Sequence, residues 1–261
     1  SQQEPRLVTE YALRFKLASV NEIADSYDHN PNADFHQVVA DMAKIPRNQA
    51  KVINLGLFYG MGKAKLEAEL GVSKDKAKEL FDIYHSKVPF VKQLTNKLMS
   101  AAQRNGKIKT ILNRKCRFPK YEPILKGSDW GRFVPAQDHE RMLELQAMGP
   151  HVKDEEGEFV KDKDGNKQKN YWHENGSRRA FTYKALNKLI QGSAADMTKK
   201  AMLELYKEGI TPHIQIHDEL DISVKNDLEA AKIKDIMEHA VKLRIPNKVD
   251  YESGPNWGSI K

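Results

Sequence analysis

Apolar residues along most of the chain recur at helical spacing. Leu7, Tyr11, Leu13, Leu17 and Val20 predict a first helix over 7–20. The polar stretch 21–32 reads as a loop, with turn chemistry at Asn30-Pro31-Asn32. A helix is predicted over 34–43, and Pro46 opens another that runs to Tyr59 and stops at Gly60-Met61-Gly62. Ser73 reads as the N-cap of a helix with Leu80, Tyr84 and Val88 on one face. Pro89 starts the next, which carries Val91, Leu94, Leu98 and Ala102 and ends at Asn105-Gly106; residues 108–112 are short and β-like.

The pattern changes over 121–177. Eleven of the eighteen residues in 152–169 are charged and two are glycine, and Asp164-Gly165-Asn166 is hairpin-turn chemistry. An exposed excursion with little core of its own is expected here. Residues 179–208 return to helix, with a break predicted at Gly192-Ser193, where Ser193 and Asp196 resemble an N-cap and its first turn. Two alternating runs, Ile214 and Ile216, then Leu220, Ile222 and Val224, flank His217-Asp218-Glu219 and predict a β-hairpin with a polar bend. A last amphipathic helix covers 228–241. There is no internal repeat.

Composition narrows the function classes. The 261 residues are 39% apolar and 30% charged, so surface is large relative to core, as in an elongated body or a piece of a larger protein. A net charge of +7 favours a polyanionic partner, nucleic acid or an acidic membrane surface. No apolar run approaches the ~20 residues of a membrane span, and no membrane partner is expected. Cys116 stands alone, which excludes an internal disulfide and fits a reducing, cytoplasmic compartment. Ser1 in place of an initiator Met suggests a processed end, a cloning boundary or a break in a longer protein.

Three groups of residues carry candidate chemistry. Arg47, Lys51, Leu55 and Tyr59 are four apart, and steps of four drift by only ~40° around a helix, so they share one face. Two cations suit a triphosphate, and the apolar and aromatic end suits a sugar and a base. An ordinary amphipathic helix meets the same spacing, and by spacing alone does so more often. Asp218 and Glu219 at a hairpin bend suit a hard Mg²⁺ ion. Two-metal phosphoryl transfer needs carboxylates from more than one segment, and a plain polar turn also fits. The small residues of Gln191-Gly192-Ser193-Ala194-Ala195-Asp196 allow close approach of a nucleic-acid strand or simply of another helix.

Taken together and in order, these segments resemble the polymerase I (A) family of DNA polymerases, in a phage-like form. Arg47-x-x-x-Lys51-x-x-Asn54-Leu55-Gly56-x-x-Tyr59-Gly60 resembles the family's fingers helix. Asn113-Arg114-Lys115-x-Arg117-x-Pro119 resembles the basic turn after the fingers helices. Gln191 to Asp196 resembles the template-contacting segment, and Gln215-x-His217-Asp218-Glu219-Leu220 the second palm motif. Ser1-Gln2-Gln3-Glu4-Pro5-Arg6 is similar to the tail of the first palm motif. The resemblance covers nearly all of the chain except 121–177. It implies an α+β fold, helical fingers plus part of a palm with a short antiparallel sheet. The expected divisions are 1–20, the end of the first palm motif and its helix; 21–120, fingers; 121–177, a charged, hairpin-like insertion; and 178–261, distal palm.

The resemblance also implies roles. Arg47, Lys51 and His36 would bind the phosphates of an incoming dNTP, with Lys51 placed to protonate the leaving pyrophosphate. Gln3, Leu55 and Tyr59 would complete the dNTP site, and Glu4 would be the steric gate against a ribose. Asp218 would bind Mg²⁺ in a two-metal site, with Glu219 supporting it. Asn187, Gln191, His217, Arg114 and Arg117 would contact the DNA primer–template. The family's first metal-binding aspartate would lie two positions before Ser1, so an upstream polymerase segment with that aspartate and the thumb is the expected partner, and the isolated chain is expected to be inactive. Leu55 stands where the family usually has Phe or Tyr, and Tyr183 where many bacterial members have Arg. Two readings remain beside this one: a single-subunit RNA polymerase fragment, which Glu4 and Glu219 disfavour, and a non-catalytic module that binds nucleic acid or nucleotide.

Overall fold

A computed structural model of the chain describes residues 2–58, 61–173 and 175–259, with the side chains of residues 42 and 43 also outside it. By packing, the chain divides into two units, Ser1–Leu98 with Lys109–Cys116 and Leu186–Lys261, and Met99–Ile108 with Arg117–Ala185.

The first unit is mainly helical. It opens with α1 (Gln3–Arg14) and α2 (Asn21–His29). Four helices follow: α3 (Phe35–Ala43), α4 (Arg47–Phe58), α5 (Lys63–Leu70) and α6 (Lys74–Lys87). Helix α3 packs on α4 and α6, and α5 on α4 and α6. Phe35, Val39, Ile53, Phe58, Leu66, Leu80 and Tyr84 are buried. As predicted, Ser73 caps α6, its Oγ accepting from the Lys76 N–H at 3.3 Å. Helix α7 is Pro89–Asn105, with Gly106 at φ 63° just beyond it, the left-handed conformation that suits glycine after a helix end.

Three sequence expectations are corrected in this unit. The first helix ends at Arg14, because Lys16 and Ser19 take positive φ, 52° and 60°. The polar stretch after Val20 is helix α2, not a loop. Only Ile23, Ala24 and Tyr27 of it are buried, too few to give a periodic signal, and tertiary burial of that stripe holds the helix. Under α2, the Arg6 guanidinium lies 4.4 Å from the Tyr27 ring and donates to the carbonyls of Pro31 and Pro246.

The third correction concerns α9 (Ala185–Lys207), which runs unbroken through Gly192-Ser193. Ser193 is fully buried and is no N-cap; its Oγ pairs with the Tyr11 hydroxyl at 2.6 Å and accepts from the Ile111 N–H. A Cβ at Gly192 would stand 2.9 Å from Thr110 Cγ2 and 3.0 Å from Arg114 Nη2. The small residues allow this close packing rather than ending the helix.

Strand β1 (Lys107–Lys109) and β2 (Lys115–Arg117) form one two-stranded sheet. In the second unit β3 (Tyr121–Pro123) pairs antiparallel with β4 (Ser177–Arg179), closing the excursion between them. That excursion contains α8 (His139–Ala147), which the sequence pattern missed. It also has an apolar core, Met142, Leu145 and Trp172, with Tyr121, Val134, Met148 and Val152 packed against it. Asn170 secures this core by donating to the Leu145 and Gly149 carbonyls and accepting from the Trp172 N–H. The charged part is a ribbon of isolated bridges, His151 with Lys169, Lys153 with Phe159 and Lys161 with Lys167. Its turn is where the sequence placed it, with Gly165 at φ 81° and Asp162 Oδ1 accepting from Asn166 N–H.

The first unit ends with β5 (Ile214–Ile216), β6 (Glu219–Asp221) and α10 (Asp227–His239), capped by Asn226. No described helix is long and apolar enough to cross a membrane.

Candidate functional site: a cationic helix face and an acidic hairpin

Helix α4 buries Ala50, Ile53, Asn54, Gly56, Leu57 and Phe58 and turns Arg47 and Lys51 to solvent, with Leu55 half-buried between the two faces. Three members of the predicted stripe therefore occupy one side of a packed helix. Tyr59 lies outside the described residues.

Asp34, a residue the sequence reading did not select, organises this end. Its Oδ1 caps α3 by accepting from the His36 and Gln37 N–H groups at 2.8 and 3.1 Å. Its Oδ2 accepts from Arg47 Nε at 2.7 Å. Burial alone would raise the Asp34 carboxyl; the Arg47 guanidinium, the Gln37 N–H and the Gln2 side chain outweigh it and hold the group below the usual carboxylate range. The signal was present in the sequence, since Asp34 is an N-cap residue type just before an apolar run. The Arg47 partner, 13 residues on, was not.

His36 is 5% exposed, and its Nδ1 lies 2.9 Å from the Nδ2 of the fully buried Asn54. With the Asn54 amide nitrogen as donor, Nδ1 accepts and the neutral imidazole carries its proton on Nε2. Burial pushes the imidazole below its usual range, Asp34 opposes this, and Arg47 and Lys51 add to the fall.

The start of α1 adjoins this group. Gln2 Oε1 accepts from the Phe35 N–H at 2.8 Å, and Gln3 Nε2 donates weakly to the Ala194 carbonyl of α9 at 3.4 Å. Glu4 is half-buried in the first turn.

The β5–β6 hairpin pairs Ile214 with Asp221, Gln215 with Leu220 and Ile216 with Glu219, which leaves His217-Asp218 as a two-residue bend. His217 takes φ 51°, a conformation that two-residue hairpins need and glycine usually supplies. Gln215 Nε2 braces the bend by donating to the His217 carbonyl at 2.5 Å. His217, Asp218 and Glu219 are exposed. Asp218 and Glu219 line a cleft of about 830 Å³, together with Gln3, Asp221 and residues from α9, α10 and the C-terminal segment. The structure thus brings Gln3 to the acidic hairpin, while Arg47, Lys51 and Leu55 do not line that cleft. Among the described residues, no three or more His, Cys, Asp or Glu side chains converge as a metal-binding group. Asp218 and Glu219 are hard oxygen donors of the kind Mg²⁺ takes, and they make up part of a ligand set.

On α9, Asn187 is half-buried and Gln191 exposed, one turn apart. Arg114 donates from Nε to Asp196 Oδ1 at 2.8 Å and from Nη2 to the Gly192 carbonyl at 2.7 Å, so its guanidinium braces the tight seam against α9. Arg117 is exposed and belongs to the second unit.

Helix α4 thus presents a cationic face and the β5–β6 hairpin an acidic bend on an α+β frame. The model of DNA polymerase family A matches residues 1–259, and the chain belongs to that family. It is 33% identical over 299 residues to a DNA-directed DNA polymerase of Pseudomonas phage M6, covering 99% of this chain and 37% of the relative. It is 28% identical over 237 residues to DNA polymerase I of Geobacillus stearothermophilus, covering 87% of this chain and 21% of the relative. The chain therefore spans little more than a third of the phage relative's length. In fold it is similar to the POL domain of Pol1 from M. smegmatis, solved in complex with DNA primer-template and dNTP, with a TM-score of 0.63 at 22% identity over 95% of this chain and 37% of that one.

Proposed function

We propose that this chain forms the part of a template-directed DNA polymerase that selects and holds the incoming nucleotide. In this reading 21–120 serve as fingers and 178–261 as distal palm. The observation that supports it best is the face of α4, where Arg47 and Lys51 stand in solvent one turn apart over a fully packed underside. Phosphoryl transfer is catalysed mainly by positioned charge around the transferred group. Arg47 would hold the triphosphate, its guanidinium oriented by Asp34, and Lys51 would deliver a proton to the leaving pyrophosphate. His36, neutral and held by Asn54, would donate to a phosphate oxygen from Nε2. Leu55 would meet the sugar with an aliphatic surface, Tyr59 the templating base, and Glu4 with Gln3 would crowd a ribose 2′-hydroxyl. Asn187, Gln191, His217, Arg114 and Arg117 would contact the primer–template.

Asp218, with Glu219 beside it, would hold Mg²⁺, which when bound supplies charge for the reacting phosphate and 3′-oxygen. Carboxylates from more than one segment complete such a site, so another polymerase segment that carries a second aspartate would be this chain's partner.

The test is titration of a labelled primer–template with the chain, followed by each dNTP in the presence of Mg²⁺. The expected result is a complex tightened by the dNTP that matches the template and by no other. Arg47→Ala and Lys51→Ala should each weaken that response about tenfold while duplex binding stays within about twofold. An equal response to all four dNTPs, or no primer–template binding, overturns the reading. The same titration with NTPs reads the role of Glu4.

A further inference from the structure

We infer that the loop of residues 127–133, in the second unit, is a binding platform for single-stranded nucleic acid. The motif resemblance does not reach this segment. Trp130 is 80% exposed and Phe133 91%, with Arg132 between them in sequence. Leaving two large aromatic side chains in water forgoes the burial that usually fixes such residues. The loop is nevertheless tightly built. Turn hydrogen bonds run from the N–H groups of Asp129, Trp130 and Arg132 to the carbonyls of Lys126, Gly127 and Asp129. The Asp129 carboxylate, 8% exposed, accepts from Lys169 and pairs with Arg132 at 3.5 Å. The fold thus spends a buried carboxylate on a turn that keeps both rings outside.

Beside the loop lies a cleft of about 290 Å³, lined by Trp130, Gly131, Arg132 and Val134, by 122–125 and by Arg178. Its lining is apolar at Pro123, Ile124, Leu125 and Val134, with two guanidinium groups that remain largely in solvent. Arg178 gives Nε to Glu122 at 2.8 Å, and Arg132 gives Nη1 to the Tyr171 hydroxyl at 3.4 Å. Both retain donors for a phosphate. Aromatic faces interleaved with cations are what binding to an unpaired strand requires, because every base has a face to stack and every linkage a charge to meet. Paired bases hide those faces, so a duplex is not the ligand of this platform. The chain's net charge of +7 sets the same preference for a polyanion over a neutral protein surface. The inference rests on the polymerase reading only for the choice of nucleic acid among anionic polymers.

The experiment measures fluorescence anisotropy of a labelled twelve-nucleotide oligo(dT) and of a blunt duplex, at one fixed salt concentration. The chain is expected to bind both. Trp130→Ala and Phe133→Ala should each weaken oligo(dT) binding about tenfold, and their combination more, at the scale of one stacked base each. Blunt-duplex affinity should stay within about twofold. Photocrosslinking of the unaltered chain to a halogenated pyrimidine oligonucleotide gives an answer independent of any variant, with the crosslink expected within 127–133. Duplex binding with no oligo(dT) binding, unchanged oligo(dT) affinity in both variants, or crosslinks only elsewhere overturn the inference alone. Failure to bind either nucleic acid overturns it together with the polymerase reading. Self-association by sedimentation that Trp130→Ala abolishes assigns the platform to a second copy and overturns it as well.

Discussion

Helices α3 and α4 and the excursion between β3 and β4 each set charged side chains against a buried apolar set, and they do so in opposite ways. In α3–α4 the division is made along each helix, with buried positions at helical spacing and Arg47 and Lys51 on the other side. In the excursion the charged ribbon has almost no inner face, and stability comes from a core at its base. Met142, Leu145 and Trp172, drawn from α8 and from the far end of the ribbon, pack there. The first design is local and shows in a ten-residue window. The second depends on contacts about thirty residues apart, which no window contains.

That contrast can be broken most directly at Trp172, which is 3% exposed. Trp172→Ala should cost about 3–5 kcal/mol by leaving a cavity and unfold the second unit while the first keeps its structure, as read by hydrogen exchange. Exchange that rises equally in both units would show that the excursion has no core of its own. Next in size is Gly192→Val. Its side chain would meet Thr110 and Arg114, and overpacking of this kind costs about 1–3 kcal/mol. The denaturation midpoint should fall even though valine is not a helix breaker, and an unchanged midpoint would refute the close seam.

A smaller effect tests what orients the cationic face. Asp34→Ala loses both a helix cap and the Arg47 pair, about 1–2 kcal/mol together, since the pair is only partly buried. Asp34→Asn keeps the cap and should stay within about 0.5 kcal/mol of the parent, but it should lose one acid-range component of stability. The folded-state pKa of Asp34 is depressed, so its stabilisation is complete above the unfolded value near 3.9 and is lost as pH falls through the folded value. Thermal melts across that range of the parent and Asp34→Asn read the difference.

The smallest effect belongs to His36, whose depressed folded-state pKa favours the neutral ring. Its contribution is complete above pH ~6.5 and declines as pH drops below that value toward the folded one. His36→Gln, which keeps an acceptor for Asn54, should flatten that slope in urea midpoints measured from pH 7.5 down to 5.

Much of the candidate site was legible because its residues sit on regular elements. The spacing of Arg47, Lys51 and Leu55 placed them on one face of α4, and two alternating runs placed Asp218 at a hairpin bend. Helix α2 was not legible, since three buried side chains in nine residues leave its sequence looking polar. Nor was the continuity of α9. A glycine and a serine mid-helix suggest a break, and only the closeness of Thr110, Tyr11 and Ile111 shows that they are packing residues.

The sequence by itself therefore determined the helical periods of α3, α4, α6, α7 and α10, the cap at Ser73, the acidic hairpin and the order of motifs that marks the family. Tertiary structure alone decided that Asp34 orients Arg47, that His36 is buried neutral against Asn54, that Gln3 shares a cleft with Asp218, and that Trp130 and Phe133 stand in water. The physical reason is one of range. Period and capping are set by hydrogen bonds within a few residues, whereas ion pairing, desolvation and exposure depend on which distant segments pack together.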